Sequence, residues 1–573
     1  MARFQNKGEK MTEKNTALSP EQSRPQWWKN GVIYQIYPKS FQDTTGNGIG
    51  DLQGIIQRLD YLQKLGVDAI WITPIYVSPQ VDNGYDVADY CAIDPTYGTM
   101  QDFEQLVEQA HQHNIRIIMD MVFNHTSTDH QWFKAAQDPQ SPYHQFYIWR
   151  GDDATTPPNN WRSKFGGNAW KWNDRVGKHY LHLFATEQAD LNWENPQVRS
   201  ELQKICHFWA DKGVDGLRLD VINLVSKNQD FPNDNQGDGR RFYTDGPRIH
   251  EFMQELSREV FQPRNLMTVG EMSSTSLEHC QQYANNQGSE LSMTFNFHHL
   301  KVDYPNGEKW THAKPDFVEL KQIFNYWQQG MHGKAWNALF WCNHDQPRIV
   351  SRFGDEGKWH QQSAKMLAMV LHGMEGTPYI YQGEEIGMTN PNFTEISQYR
   401  DVESLNMFAE LREQGMDEDL LMKILAQKSR DNSRTPMQWN NGSYCGFSQV
   451  EPWIGVGRAE INVEHALADE QSVFYTYQRL IALRKQYPIF IEGSYQDLNP
   501  TSPDVWTYLR ESAEEKLLVL ANLTGKPQQI ELPADLANQQ WTLLENSHIQ
   551  ASQPQVANQL TLEPYQGLYF YQK

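Results

Sequence analysis

Eight short apolar segments, rich in β-branched residues, recur along the chain with helix-like segments between them. They occupy residues 32–38, 69–75, 116–122, 216–221, 266–272, 291–297, 337–343 and 378–382. The intervening segments, such as 51–65 and 100–113, have helical periodicity. Near-continuous apolar strands are typical of a parallel sheet that is covered on both faces. Eight strand–helix repeats therefore predict an α/β fold of the (β/α)8 TIM barrel type.

Two regions depart from this alternation. Residues 123–215, between the third and fourth predicted strands, are rich in Trp, Asn, Gly and Pro, and a structureless loop of that length is uncommon. We therefore expect an inserted subdomain after strand 3. A predicted helix at 472–486 leads into short alternating segments, which indicate a C-terminal antiparallel β-sandwich. The predicted domains are a polar N-terminal extension (1–26), the barrel (27–123 and 201–475), the insert (124–200) and the C-terminal domain (476–573).

The net charge of −21 argues against nucleic acid or an anionic membrane surface as a partner. Five widely separated cysteines without a CxxC pair indicate neither a disulfide framework nor a zinc site. Residues 1–25 are polar, lack the apolar core of a secretory signal, and leave open whether Met1 or Met11 is the natural start. We expect a cytoplasmic protein, and the sequence predicts no oligomeric state.

Three acidic residues end or follow predicted strands. Asp220 closes the fourth strand, Glu271 closes the fifth, and Asp345 follows the seventh. Ligands bind where parallel strands end, so these carboxyl groups are candidates for catalysis. Hydrolysis of a glycosidic bond needs one carboxyl group as nucleophile or base and another as acid. The three residues therefore predict glycosidic-bond chemistry.

Four segments around these residues resemble the short sequence regions of the α-amylase superfamily, glycoside hydrolase family 13. They are DMVFNH (120–125), GLRLDVIN (216–223), VGEM (269–272) and WCNHDQ (341–346). DNGYD (82–86) and SRDNSRTPMQW (429–439) are similar to the oligo-1,6-glucosidase branch of that family. The resemblance implies a hydrolase that requires no cofactor.

The resemblance also implies a role for each acid. Asp220 would be the nucleophile of a retaining reaction, Glu271 the acid and base, and Asp345 a group that holds substrate hydroxyls. Arg218, two residues before Asp220 on the same strand, would favour the ionised nucleophile. Crowding of three carboxyl groups would keep Glu271 protonated. In a retaining enzyme we expect the nucleophile and the acid to lie about 5–5.5 Å apart.

Further residues are assigned to the sugar pocket by the same resemblance. His125 and His344 would donate hydrogen bonds to sugar hydroxyls, and Tyr85 would stack on the sugar. Asp82 and Arg430 would clamp the non-reducing end and make the enzyme exo-acting. Arg434 is the alternative partner of Asp82.

Two more segments, EMSSTSLEHC (271–280) and FNFHHLKVDYP (295–305), are similar to those of trehalose-6-phosphate hydrolases within the branch. They imply a small phosphorylated disaccharide as substrate. Positive charge is needed to bind phosphate, so we expect a phosphate site among His298, His299, Lys301 and Lys309. Oligo-1,6-glucosidase activity on isomaltose-type sugars is the alternative. Sucrose isomerisation fits less well, although it would share the covalent intermediate. A non-catalytic role also fits less well, because a non-catalytic member would not need the complete set of three acids.

A glycine-rich segment after the first strand resembles a calcium loop. Oxygen-bearing groups recur at every second position, at Asp43, Thr45, Asn47, Ile49 (through its carbonyl) and Asp51. A structural Ca²⁺ is therefore one interpretation, and a simple glycine-rich turn is the other.

Overall fold

Eight parallel strands form the centre of the molecule. The computed structural model describes residues 26–537, 539–548 and 554–573, so the predicted N-terminal extension lies outside the described residues except for Gln26. The strands are β1 Ile33–Ile36, β2 Ala69–Ile72, β3 Arg116–Met121, β4 Gly216–Leu219, β5 Met267–Met272, β6 Met293–Asn296, β7 Ala338–Phe340 and β8 Thr377–Tyr381. Their order is β6-β5-β4-β3-β2-β1-β8-β7, and a parallel bridge between Thr294 and Asn337 joins the two ends. The predicted barrel is confirmed.

A helix follows every strand and covers the outside of the barrel. In chain order the helices are Leu52–Gln57 with Leu59–Leu65, Met100–Gln112, Pro196–Asp211, Ile249–Leu256, Leu277–Tyr283, Phe317–Met331, His360–His372 and Val473–Gln486. Their starts follow local chemistry. Thr99 forms a capping box with Asp102, and Asn195 caps a helix that begins with Pro196.

The insert is a small sheet domain over the mouth of the barrel. Strand His125–Ser127 pairs with Gln188–Asp190, and Lys178–Leu181 pairs with both Trp149–Arg150 and Trp170–Asn173. Its core residues Trp161 and Trp170 pack against Phe231 and Tyr243 from the segment after β4. This shared core fixes the insert to the barrel.

The C-terminal domain consists of antiparallel strands. They are β9 Ser494–Asp497, β10 Val505–Glu511, β11 Lys516–Asn522, β12 Gln528–Glu531, β13 Thr542–Asn546, β14 Gln559–Leu562 and β15 Gly567–Gln572. One sheet has the order β9-β10-β11-β15-β13, and β12 pairs with β14. Leu518, Leu568, Ile530 and Leu562 pack together between the two sheets. The expected boundary at 475 falls inside helix Val473–Gln486, which packs on the barrel helix His360–His372.

A long segment between β8 and that last helix also lies at the barrel mouth. It contains the helices Val402–Glu413, Glu418–Lys428 and Asp431–Arg434. It contributes Arg430 to the cavity described below. Over the described ranges, none of the helices combines the length and the apolar character needed to cross a bilayer.

Candidate active site

The three strand-end acids line one cavity at the carboxyl ends of the barrel strands. The cavity encloses about 260 Å³. Asp220 follows β4, Glu271 lies in β5, and Asp345 lies five residues beyond β7. Further lining residues come from the insert and from the loops, namely Asp82, Tyr85, His125, Lys164, Phe165, Phe184, Val221, Ser273, Ser274, Phe297, Lys301, Tyr304, Lys309, Gln346, Glu403 and Arg430. The barrel thus brings together all three predicted acids.

The buried guanidinium of Arg218 connects the acidic groups from behind the cavity wall. Its Nη1 donates to Asp220 Oδ1 at 2.6 Å and to Asp120 Oδ1 at 2.8 Å, and its Nη2 donates to Glu271. Asp120 also accepts from the Tyr85 hydroxyl at 2.9 Å. Arg218 thereby holds the nucleophile candidate and the acid candidate on one planar group.

Burial sets different protonation states for Asp220 and Glu271. It raises the pKa of Asp220 to about 6. Arg218 lowers the pKa of Asp220, as predicted, but its effect is smaller than that of burial. Burial and the negative charges of Asp220 and Asp345 together raise the pKa of Glu271 to about 8, against the opposing effect of Arg218. At neutral pH Asp220 is largely ionised and Glu271 largely protonated. Nucleophilic attack and acid catalysis need this division of charge.

The residue after Asp220 has an unusual backbone conformation. Val221 has φ 35° and ψ 39°, in the left-handed region that a β-branched residue rarely adopts. Its N–H then donates to Glu271 Oε2 at 3.2 Å. Such strain costs on the order of 1–3 kcal/mol and persists where the surrounding structure enforces it. Here it links the two acids through the main chain.

Asp345 is held ionised by basic neighbours. Arg434 donates to its Oδ1 at 2.7 Å, and Arg430 lies 3.3 Å from the same oxygen. Burial alone would raise the pKa of Asp345, but His344, Arg430 and Arg434 together hold it well below its ordinary value. Asp345 therefore accepts hydrogen bonds at any pH at which the chain works.

Of the predicted sugar-contacting rings, Tyr85 and His125 line the cavity and His344 does not. Tyr85 stacks on His344, with ring centroids 5.1 Å apart. His344 is buried behind the cavity wall, and Gln35 contacts its Nδ1 at 2.8 Å. His125 lines the cavity, and its Nε2 lies 3.1 Å from the Tyr85 carbonyl oxygen. Burial lowers the pKa of His125 to about 4 and that of His344 to about 3, so both rings are neutral near pH 7.

The two residues expected to clamp the sugar are in contact. Arg430 Nη2 donates to Asp82 Oδ1 at 2.9 Å and to Asp401 Oδ1 at 2.6 Å. Arg434 donates to Asp345 and to the His344 carbonyl instead. The structure thus pairs Asp82 with Arg430 and not with Arg434.

The four basic candidates after β6 separate into two groups. Lys301 and Lys309 line the cavity, and Lys309 donates to both carboxylate oxygens of Glu403 at 2.7 and 2.8 Å. His299 is buried with its Nε2 2.9 Å from Phe340 O, and His298 packs on Trp327 in a separate cavity. Residues 298–301 form one helical turn, so neighbouring side chains point in different directions. The structure therefore places neither histidine in the cavity that Lys301 and Lys309 line.

Several residues of the cavity carried no signal in the sequence. Lys164 and Phe165 come from the insert, where no recognised motif pointed to them. The Arg430 guanidinium lies 4.8 Å from the centre of the Phe165 ring. Asp120 is the first residue of the segment DMVFNH (120–125). Its contacts with Arg218 and Tyr85 depend on strand register, which was not predictable from the sequence.

Several oxygen atoms of the candidate calcium loop accept hydrogen bonds from the loop itself and from Ser448. The Asp43 carboxylate accepts from the N–H groups of Thr45, Gly46 and Gly48 and from the Ser448 hydroxyl. The Asp51 carboxylate accepts from Thr44 and caps a helix through Gly54 N–H. The Asn47 side-chain oxygen accepts from Ile49 N–H at 2.9 Å. Among the described residues no group of three His, Cys, Asp or Glu side chains is placed to hold a metal. In this arrangement the Asp43, Asn47 and Asp51 oxygens are occupied by hydrogen bonds from the protein, and a structural calcium site is not shown.

Comparison with known proteins gives a consistent family assignment. Residues 35–493 match the family described as alpha amylase, catalytic domain, and residues 505–568 match the alpha-amylase SusG C-terminal domain. Trehalose-6-phosphate hydrolase of Escherichia coli (strain K12) is 68% identical over 551 residues, which cover 96% of this chain and 99% of that protein. Oligo-1,6-glucosidase of Bacillus cereus is 44% identical over 554 residues, covering 95% and 99%. The crystal structure of Bacillus licheniformis trehalose-6-phosphate hydrolase has 54% sequence identity and a TM-score of 0.91, covering 95% of this chain and 99% of that one. The chain therefore belongs to the alpha-amylase family, glycoside hydrolase family 13.

Proposed function

We propose that this chain is a retaining, exo-acting α-glucosidase that hydrolyses trehalose 6-phosphate to glucose and glucose 6-phosphate. The choice of substrate rests on Lys301, which lines the same cavity as the three acids and makes no ion pair among the described residues. A chain with a net charge of −21 needs local positive charge to admit a phosphate ester. The 68% identity to a trehalose-6-phosphate hydrolase supports this choice over the activity of the 44% identical oligo-1,6-glucosidase.

In the first step Asp220 attacks the anomeric carbon of the unphosphorylated glucose, and the bond to the bridging oxygen breaks. Glu271 gives its proton to that oxygen, so glucose 6-phosphate leaves. In the second step the ionised Glu271 takes a proton from water, which attacks the same carbon and releases Asp220. Two displacements at one carbon retain its configuration. Asp345 accepts hydrogen bonds from sugar hydroxyls throughout.

Charge favours one orientation of the substrate in the cavity. Asp82 and Asp345 both line the cavity, and both contact Arg430. Two carboxylates beside Asp220 would repel a phosphate group placed there. The unphosphorylated glucose therefore binds against Asp82 and Arg430, and the phosphorylated sugar is the leaving group.

The charge of the substrate also bears on the cellular compartment in which the enzyme acts. A charged phosphate ester does not cross a bilayer unaided, so the enzyme and its substrate share one compartment. All five cysteines are free thiols, which fits a reducing environment. We place the enzyme in the cytoplasm.

Turnover of trehalose 6-phosphate, trehalose and isomaltose under identical conditions tests the proposal. A hydrogen bond to a charged group contributes about 1.5–3 kcal/mol, so we expect kcat/KM for the phosphorylated substrate to be about 10- to 150-fold higher than for the others. Lys301→Met should lower this ratio, because Lys301 makes no ion pair among the described residues, whereas Lys309 is paired with Glu403. Lys314→Met is the matched control, because Lys314 is exposed in the same segment and does not line the cavity. A preference for isomaltose would instead support oligo-1,6-glucosidase activity.

A further inference from the structure

A third lysine reaches the cavity from the inserted subdomain. Lys164 lines the cavity, and its Nζ donates to Ser273 Oγ at 3.2 Å. Within the described ranges this ammonium makes no ion pair and no other hydrogen bond. The Tyr243 ring, 5.6 Å from Nζ, covers it on one side. Lys164 thus presents a positive charge to the cavity without a carboxylate to neutralise it.

The barrel holds the main chain of Ser273, whose hydroxyl accepts the hydrogen bond from Lys164. Asn223 donates to the Ser273 carbonyl at 2.9 Å and accepts from the Ser273 N–H at 2.9 Å. Asn223 also donates to Asp245, which accepts from the Tyr283 hydroxyl at 2.7 Å. Ser273 lies two residues after Glu271, so this chain of contacts places the Lys164 ammonium at a defined point beside the candidate acid.

Positive charges crowd this part of the cavity. Burial, Arg240 and Lys301 together lower the pKa of Lys164 to about 7, against the opposing effects of Asp238 and Glu271. The pKa of Lys301 is also lowered, by burial and by Arg240.

Lys301 makes no ion pair among the described residues, in contrast to Lys309, which Glu403 neutralises. Two partly desolvated ammonium groups without a counter-charge cost free energy, which an anion bound between them would recover.

We propose that Lys164 is a specificity-determining residue that, together with Lys301, holds the phosphate of the leaving sugar between the insert and the barrel. The Ser273 hydroxyl supports the Lys164 ammonium from the barrel side. This inference rests on the proposed function and extends it to a residue outside every recognised motif. A phosphate dianion supplies the counter-charge that both lysines lack.

Binding of a phosphate by Lys164 should depend on pH. Arg240, Asp238, Lys301 and Glu271 are the charged groups that act on Lys164 from the surrounding elements. In the free enzyme Lys164 loses its charge as pH rises through about 7. Recognition of the phosphorylated substrate should then weaken, whereas a neutral glucoside does not depend on this charge. Loss of the Glu271 proton affects both substrates and cancels in their ratio.

The test is the ratio of kcat/KM for trehalose 6-phosphate to kcat/KM for trehalose, which has the same kind of leaving group without the phosphate, measured from pH 6.5 to 9. We expect Lys164→Met to lower this ratio about 10- to 150-fold at pH 7. In the wild type the ratio should fall with rising pH, and Lys164→Arg should remove that fall. Lys171→Met is the control, because Lys171 is exposed on the same subdomain and does not line the cavity.

An unchanged ratio in Lys164→Met, with a wild type that prefers the phosphorylated substrate, would overturn this inference alone. Equal losses on both substrates would also overturn it, because they would indicate a structural role. A wild type without any preference would contradict the proposed function instead.

Discussion

At the scale of single residues, reactivity depends on how two neighbouring carboxyl groups divide one proton. Arg218 contacts both groups, and Val221 N–H donates to Glu271. Burial acts on both, but Glu271 also feels the charges of Asp220 and Asp345, which raises its pKa further. The acid therefore keeps its proton at a pH at which the nucleophile has lost its own.

A bell-shaped pH profile is the expected result. kcat/KM reports the free enzyme, so it should rise through about pH 6 as Asp220 ionises and fall through about pH 8 as Glu271 loses its proton. The measurement uses p-nitrophenyl α-glucoside, which has no phosphate to titrate. In Glu271→Gln the residual activity should have no alkaline limb, because the glutamine side chain has no carboxyl proton to lose. An alkaline limb that persists in that variant would show that another group is responsible.

At the scale of elements, strand register brings the site together. Arg218 pairs with Asp120 across β3 and β4, and Leu219 pairs with Gly270 across β4 and β5. Asp220 consequently lies beside Glu271. A shift of one residue in either pair would turn these side chains away from the cavity. The sequence predicted the strands from their apolar composition, but register depends on packing between strands and was not predictable from it.

The contact between the C-terminal sheet and the barrel helices allows a test of packing. Gly373 follows helix His360–His372, and a Cβ there would overlap the Tyr508 hydroxyl, which donates to Val370 O at 2.7 Å. We expect Gly373→Ala to lower the free energy of unfolding by about 1–3 kcal/mol through overpacking. Its kcat/KM at 25 °C should stay unchanged, because the cavity is elsewhere.

Thermal unfolding followed by fluorescence measures this effect. Gly357→Ala is the control, since an added Cβ there meets only Asp355 Oδ1, at 3.4 Å. If the two variants unfold at the same temperature as the wild type, the interface does not have the tight packing described.

At the scale of the whole molecule, the cavity joins parts of the chain that are far apart in sequence. Asp220, Glu271 and Asp345 could be predicted because each ends or follows an apolar strand. Lys164 could not be predicted as a cavity residue. The insert that carries it lacks the regular strand–helix alternation from which the position of a residue over the barrel could be predicted. His298 and His299 were expected beside Lys301 from their sequence proximity, but a helical turn directs them elsewhere. Local pattern thus predicts barrel positions, whereas loop positions depend on the complete fold.

Hydrolysis of trehalose 6-phosphate in H₂¹⁸O tests the central claim most directly, because it reports which carbon water attacks and from which side. The products are quenched rapidly, separated and examined by mass spectrometry and proton NMR. Attack at the glucose held by Asp82 and Arg430 predicts ¹⁸O in glucose, unlabelled glucose 6-phosphate, and the α-anomer of glucose as the first product. Label in glucose 6-phosphate, or β-glucose formed first, would contradict the account.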